Sequence, residues 1–256
     1  MSIPPPRRSG TLPETYDKEF FEHHAKHRES YEHLALLIRE LSPQGASTVI
    51  DVGCGHCLLL DALQRHFTSA IGIDGSDSGV PSHLHDKFHL RDLTAPDWYG
   101  QNTEQPEVVV SLETAEHLPE RYARAFVSEL IKGGPSMVFF SAATPYQDCG
   151  QNPTHVNEQP LSYWVEQFEL NSYSLAAHQT TKMRATMIES GLYGALAWYP
   201  KNILIFERGP CSMTDVQVPP PIRSSNPVFQ LIFDRDRLEF ENILLRMATR
   251  NARFPS

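Results

Sequence analysis

V-I-D-V-G-C-G-H-C, residues Val49 to Cys57, sets an apolar run ending in a carboxylate immediately before a glycine-rich turn. The apolar residues read as a short buried strand and the residues from Leu58 onward as a helix, so the glycines stand at a strand-to-helix turn. Gly53 and Gly55 let the backbone turn sharply there and let a ligand approach without meeting a Cβ. A second apolar run ends in I-G-I-D-G, which places Asp74 twenty-three residues after Asp51. A carboxylate at that place can accept both hydroxyls of a ribose. The third run is followed by R-D-L, where Asp92 can receive an adenine amino group. One glycine turn alone is a weak signal, whereas three strand-end features in the right order are a strong one.

Outward from this stretch the chain alternates short apolar runs with amphipathic segments. Strands are expected near Thr48–Val52, Ala70–Ile73, Phe88–Leu90, Val108–Leu112, Met137–Ser141 and Asn202–Phe206. Helices fit near Leu58–His66, Glu120–Ile131 and Ser162–Glu169, and an earlier one from Tyr16 to Leu41 is ended by Pro43 and Gly45. Buried strands alternating with helices imply parallel pairing and right-handed crossovers, hence an open α/β sheet covered on both faces. Ligands of such sheets sit beyond the carboxyl ends of the strands. Residues 1–14 read as a flexible, proline-rich tail. Val218-Pro219-Pro220-Pro221 reads as a stiff linker before a terminal helix over Asn226–Met247, whose apolar stripe is expected to pack on its own domain.

Composition narrows the class. With 40% hydrophobic and 21% charged residues in 256, the chain can bury a core and is globular. The net charge of -9 repels polyanions, which disfavours a nucleic-acid partner. No run of eighteen apolar residues suits a membrane span, and the start lacks the apolar region of a secretory signal. Four cysteines in this length make no disulfide scaffold. A cytoplasmic protein with reduced thiols is expected.

The pattern resembles the class I S-adenosylmethionine (SAM) dependent methyltransferases, whose first motif is an apolar strand ending in D-x-G-C-G-x-G. The resemblance covers Thr48 to Glu207 and implies a Rossmann-like, seven-stranded open sheet with an N-terminal helix and a C-terminal helical extension. It implies a methyltransferase domain over 15–208, with 209–256 forming the linker and extension. SAM would be held by Asp51, Gly53, Cys54, Gly55, Asp74, Gly75, Asp92 and Leu93. Cys57 departs from the motif, standing where the final glycine usually lies, and a local adjustment of the turn is expected. Two rivals use the same loop. A dinucleotide fold wants G-x-G-x-x-G, but Leu58 stands where the third glycine would fall. Cys54-Gly55-His56-Cys57 is a CxxC at a helix start, as in thioredoxin-like redox proteins, but such a domain is far shorter and has no use for Asp51, Asp74 and Asp92. A turn without a ligand leaves those carboxylates unexplained.

The fourth strand runs into S-L-E-T-A-E-H-L-P-E, so one helical turn would present Glu113, Glu116 and His117 together. The loop after strand five brings His155 to the same edge. Two carboxylates and two imidazoles suit a divalent ion, Mg, Mn or Fe at least as well as Zn. E-x-x-E-H with a later histidine resembles the metal-dependent O-methyltransferases, among them small-RNA 2′-O-methyltransferases and ubiquinone-pathway enzymes. That implies metal ligation by Glu113, Glu116, His117 and His155, and catalysis through His117, His155 and Glu116. Bacterial methyltransferase-domain proteins of poorly defined substrate resemble the chain more widely, at Phe20-Phe21-Glu22-His23, Leu112–Pro119, Phe140–Ala143, His155–Gln159 and Asn202–Phe206. E-H after strand four also occurs in SAM enzymes without metal, and His117 or His155 would then be the general base.

The expected reaction is metal-assisted O-methylation of a small diol-bearing acceptor, a sugar, catechol or natural product. The alternatives are metal-independent N- or C-methylation of a small molecule and methylation of an RNA 3′-terminal 2′-hydroxyl. A homodimer through the C-terminal helix stays open. His23, His24, His27 and His33 read as a solvated helix face. Tyr146, Tyr163, Trp164, Trp198 and Tyr199 are candidates for an acceptor pocket or for plain core.

Overall fold

The computed structural model describes residues 28–100, 105–193, 196–210, 213 and 216–253. The tail, the helix expected before Arg28, the Phe20–His23 motif, and His23, His24 and His27 lie outside the described residues. Seven strands form one sheet: β1 (Thr48–Val52), β2 (Ser69–Asp74), β3 (Phe88–Leu90), β4 (Val108–Leu112), β5 (Met137–Ser141), β6 (Tyr173–Leu175) and β7 (Leu204–Arg208). Their spatial order is β3-β2-β1-β4-β5-β7-β6. β1 lies between β2 and β4 and pairs with both in parallel, so the order reverses direction at β1 and β4. That reversal opens a crevice at the carboxyl ends of those strands, where ligands of this architecture bind.

Both faces of the sheet are covered. Along the strands, side chains alternate between two cores: Val49, Val108 and Phe139 join one, and Ile50, Val109 and Phe140 the other. This double burial explains why the strands read as continuous apolar runs instead of alternating ones. The first core is closed by α1 (Arg28–Leu41), α2 (Leu58–Leu63), α5 (Ala177–Ser190) and α6 (Trp198–Asn202). The second is closed by α3 (Ala123–Leu130), α4 (Leu161–Glu169) and α7 (Pro227–Arg253). Each fully buried leucine or phenylalanine of these layers contributes about 1.5–3 kcal/mol. α7 lays Phe240, Ile243 and Leu244 against the second core, packing on α4 and α6. Among the described residues no helix is long and apolar enough to cross a membrane.

Three expectations need correction. The last strand is Leu204–Arg208 and not Asn202–Phe206, because Trp198–Asn202 closes a helical turn first. β7 runs antiparallel to both β5 and β6, so the sheet is mixed and not wholly parallel. The sequence reading also missed β6, a strand of three residues, and α5. The buried face of α5 includes Thr180, Thr181 and Arg184, so it carries no apolar stripe to detect.

Candidate functional site

The first half of the site is made of backbone. β1 ends at Val52, and the amides of Gly53 and Cys54 donate to the Ile73 carbonyl at 2.7 and 3.3 Å, welding the glycine turn to β2. Gly53 has φ +76, and a Cβ there would lie 2.1 Å from Thr114 Oγ1, so the turn is locked against the β4 loop. Gly55 has φ +50, but nothing stands within 4 Å of where its Cβ would be. The two glycines therefore differ in kind: one fits against protein, the other faces open space. Cys57 takes the place of the motif's third glycine by adopting a left-handed conformation itself, φ 60 and ψ 23, at the start of α2. The expected adjustment is thus backbone strain at Cys57 itself, and the turn is kept.

Two carboxylates close this edge. Asp74 Oδ2 accepts from the Gly55 amide at 2.8 Å and Oδ1 from the Ser76 amide at 2.9 Å. Burial raises its pKa against the pull of those donors. Asp51 is buried, its Oδ2 has no hydrogen-bond partner, and burial, then the Asp74 charge, pushes its pKa up to about 7. Asp92 is exposed and its Oδ1 accepts from the Thr94 amide and hydroxyl at 2.9 and 2.7 Å, while Leu93 is buried. A Cβ on Gly75 would meet only the Arg91 carbonyl at 3.7 Å, an ordinary contact. Cys54 and Cys57 are free thiols with Sγ atoms 3.8 Å apart. The Cys57 contact, burial and Asp51 hold the Cys54 thiol well above its usual pKa, the reverse of a redox nucleophile.

The second half of the site is made of side chains at the ends of β4 and β5. Glu113 has φ 51, and the following turn, Ala115–His117, is a single 3₁₀ turn, so no α-helical face unites Glu113 with Glu116 and His117. Its carboxylate is engaged elsewhere, accepting from Gln147 Nε2 at 2.7 Å and from Asn202 Nδ2 at 3.0 Å. Asn202 also donates to Gln147 Oε1 at 2.6 Å, which closes a three-residue ring.

Glu116, His117 and His155 each bring one ligand atom within 4.8 Å of the others. Glu116 is wholly buried; neither carboxylate oxygen meets strict hydrogen-bond geometry with a donor, although its own amide, the Ala143 amide and the Glu113 side chain lie close enough to act on its charge. Burial first, and the Glu113 carboxylate second, drive its pKa well above the carboxylate range. The two imidazoles stand edge to face, ring centres 5.0 Å apart. Burial and then His155 lower the His117 pKa to about 4. The H-V-N-E-Q segment is tied directly to this turn, since the Val156 and Asn157 amides donate to the Glu116 carbonyl at 2.9 and 3.0 Å.

Behind this edge stands a buried charged cluster with no counterpart in the sequence reading. Lys201 Nζ donates to Asp236 Oδ2 at 2.7 Å and also to Thr144 Oγ1, and Thr144 Oγ1 donates to Asp236 Oδ2 at 2.6 Å. Arg235 Nη1 reaches the Pro145 carbonyl at 2.7 Å. The C-terminal helix thus grips the start of the loop that carries Gln147 and His155. Asn202 was visible in the sequence only as part of a strand motif; Gln147, Thr144, Lys201 and Asp236 carried no signal at all. Of the aromatic candidates, Trp164 is core, its ring tilted against Phe140, and Tyr199 is buried against Tyr31. Trp198 is partly buried on the first core, Tyr163 is half-buried, and Tyr146 is 70% exposed.

A family model described as "Methyltransferase domain" matches residues 21–184. The ubiquinone biosynthesis O-methyltransferase of Pseudomonas savastanoi pv. phaseolicola is 34% identical over 101 residues, 36% of this chain and 43% of that protein. The chain therefore matches under half the length of its curated relatives. Magnesium protoporphyrin IX methyltransferase from Synechocystis PCC 6803, solved with bound SAH, aligns with a TM-score of 0.51 at 16% identity, over 75% of this chain and 88% of that one. An amino pentose methyltransferase from Micromonospora echinaspora, solved with SAM, aligns with a TM-score of 0.51 at 12% identity, over 77% of this chain and 100% of that one. At such identities the two solved structures speak for a shared fold.

Proposed function

We propose that this chain, which belongs to the methyltransferase-domain family, transfers a methyl group from SAM to a hydroxyl of a small diol-bearing acceptor with help from a divalent ion. The residues at the β1 and β2 ends fit the cofactor. Gly55 leaves room for close approach, Asp51 Oδ2 is a buried acceptor without a partner, and Asp74, held beside the glycine turn by the Gly55 amide, would receive the ribose hydroxyls. Gly53, Cys54, Gly75, Asp92 and Leu93 complete the proposed contact set. Bound SAM supplies a methyl group already activated on its sulfonium.

The protein's own work is to hold the acceptor in line and manage its proton. The observation that carries the proposal is Glu116. A carboxyl at 0% exposure, with no donor in strict hydrogen-bond geometry on either oxygen and with the Glu113 carboxylate and two imidazoles beside it, is an arrangement that a cation completes. Glu116, His117 and His155 would be the ligands, and Glu113 would join them by releasing Gln147 and Asn202. A bound Mg, Mn, Fe or Zn ion would lower the pKa of the acceptor hydroxyl and orient it. With a pKa near 4, His117 is neutral at pH 7 and offers a lone pair either to the ion or, without one, to the acceptor's proton.

The test is methyl transfer from radiolabelled SAM to a panel of catechols, sugars and amines, with and without a strong chelator. Chelation, Glu116→Ala and His155→Ala are each expected to lower O-methylation by about 100-fold or more. Full O-methylation by both variants in chelator would sink the metal. The engagement of Glu113 favours one second reading, metal-free N- or C-methylation, in which amines are methylated equally well in chelator. A small acceptor is proposed over RNA because the net charge is -9. Self-association through Leu231, Leu238 and Leu245, all exposed on α7, belongs to the same proposal; sedimentation of Leu238→Lys beside the native chain tests it.

A further inference from the structure

Two candidate ligand clusters at this edge share one imidazole. Glu116, His117 and His155 form the first; Asp148, His155 and Glu158 form the second. His155 has two ring nitrogens, and the hydrogen bonds around it decide which cluster each nitrogen serves. Its Nδ1 lies 3.0 Å from Glu158 Oε1 and 3.8 Å from Asp148 Oδ2. An ionised carboxylate only accepts, so Nδ1 carries the proton and donates it to Glu158. Nε2 is then the nitrogen with the lone pair. His117 follows the same logic, because its Nδ1 stands 3.2 Å from the Thr154 carbonyl, which also only accepts. Both imidazoles therefore have Nδ1 committed to the loop that follows β5.

We infer that Glu158 is a positioning residue: it accepts from His155 Nδ1 and so fixes the tautomer and ring orientation that turn Nε2 toward Glu116 and His117, while Asp148, 3.8 Å away and with no hydrogen bond on its Oδ2, takes no part in setting the tautomer. The inference rests on the reading of His155 as a working residue of the acceptor edge. Two features separate this role from simple loop bracing. The backbone on either side of Val156 is held without Glu158, since the Val156 and Asn157 amides bind the Glu116 carbonyl and Asn157 Nδ2 reaches the Ala115 carbonyl at 3.4 Å. Glu158 also divides its two oxygens, Oε1 going to His155 and Oε2 to the Tyr146 amide at 2.7 Å. The carboxylate is thus itself pinned on the side away from the imidazole, and a pinned acceptor sets an imidazole's orientation better than a swinging one. Carboxylates that accept from the remote nitrogen of a working histidine do this in ligand sets and in catalytic pairs alike. The role therefore holds whether His155 serves an ion or the acceptor's proton.

The experiment reads the tautomer directly and needs neither acceptor nor ion. Uniformly ¹⁵N-labelled full-length protein, prepared in chelator, is examined by long-range ¹H–¹⁵N correlation of the histidine rings, with His155 assigned from its loss in His155→Gln. The native protein is expected to show His155 protonated on Nδ1, with Nε2 in the unprotonated range. Glu158→Ala should move the Nε2 resonance into the protonated range, and Glu158→Gln, whose amide oxygen still accepts, should keep the native pattern. A native His155 protonated on Nε2, or an Nδ1–H form that survives Glu158→Ala, would overturn the inference. Should Glu158→Ala fail to fold, the native and Glu158→Gln spectra decide it. Failure of the methyl-transfer reading would show instead in the chelator and acceptor assays, with the ring pattern unchanged.

Discussion

The two halves of the site are built by opposite means. At the ends of β1 and β2 the chain holds itself: the Gly53, Cys54, Gly55 and Ser76 amides meet Ile73 and Asp74, all within about two dozen residues. At the ends of β4 and β5 the working groups are held by side chains from far away. Glu113 is gripped by Gln147 and Asn202, and the loop beginning at Thr144 by Asp236, 92 residues on. A half built from local backbone can keep its geometry while its surroundings change. A half built from distant side chains can be retuned one residue at a time, which suits the part of an enzyme that selects the acceptor.

The sharpest way to break this contrast is at the buried ion pair. Asp236→Ala leaves the Lys201 ammonium buried and unpaired, and should cost about 3–5 kcal/mol in urea unfolding. The pair Lys201→Met with Asp236→Leu should recover most of that, because apolar groups of similar size replace buried pairs well. If Asp236→Ala melts like the native protein, the acceptor edge is not held from α7.

Asp51 tests the cofactor half through pH. Its folded pKa of about 7 lies above the unfolded value near 4, so between the two the folded protein keeps a proton that the unfolded chain has lost. The contribution is fully present below about pH 4 and is lost as pH rises through 7, up to about 4 kcal/mol. Asp51→Asn should flatten that slope in urea titrations across pH; an unchanged slope would remove Asp51 as its source.

Gly53 and Gly55 probe the same half with smaller effects. Gly53→Ala combines left-handed strain with a clash on Thr114 and should cost about 3 kcal/mol. Gly55→Ala should cost only about 1 kcal/mol of stability. It should nevertheless weaken S-adenosylhomocysteine (SAH) by roughly tenfold in calorimetry, a binding loss of about 1.4 kcal/mol. Equal stability losses at the two glycines would erase the distinction between a packed turn and an open one. The smallest effect is expected at Cys57→Gly, where relief of the left-handed conformation and loss of a buried thiol nearly cancel, leaving a change within about 1 kcal/mol.

The same contrast explains what could be read before the fold was seen. β1, β4 and β5 match their expected bounds because doubly buried strands of a central sheet announce themselves as apolar runs, and the short edge strand β3 matches as well, although its residues are only partly buried. Pro200 within Trp198–Asn202 reads as a breaker, yet near the start of a short helix it needs no partner for a missing amide. In the site, the strand-end motif brought Asp51, Gly53, Gly55 and Asp74 into view because their spacing is local. Glu113 does stand beside Glu116, but by a different route from the expected helical turn, through a left-handed residue and a 3₁₀ turn. Glu158 lay inside a quoted motif, but its partner atom on His155 is a matter of ring orientation, which spacing does not encode. Lys201 and Asp236 meet only through the tertiary fold.

The antiparallel strand has a consequence for the order in which the protein can be made. β7 slots between β5 and β6, so neither of those strands has its final neighbour until residue 208 exists. Synthesis from Ser141 to Leu204 takes roughly 3–13 seconds at about 5–20 residues per second. Throughout that interval the nascent chain presents β5 as an open apolar edge, the kind that invites pairing with another chain. Met137–Ser141 is therefore the edge left without its antiparallel neighbour for longest while the chain is being made.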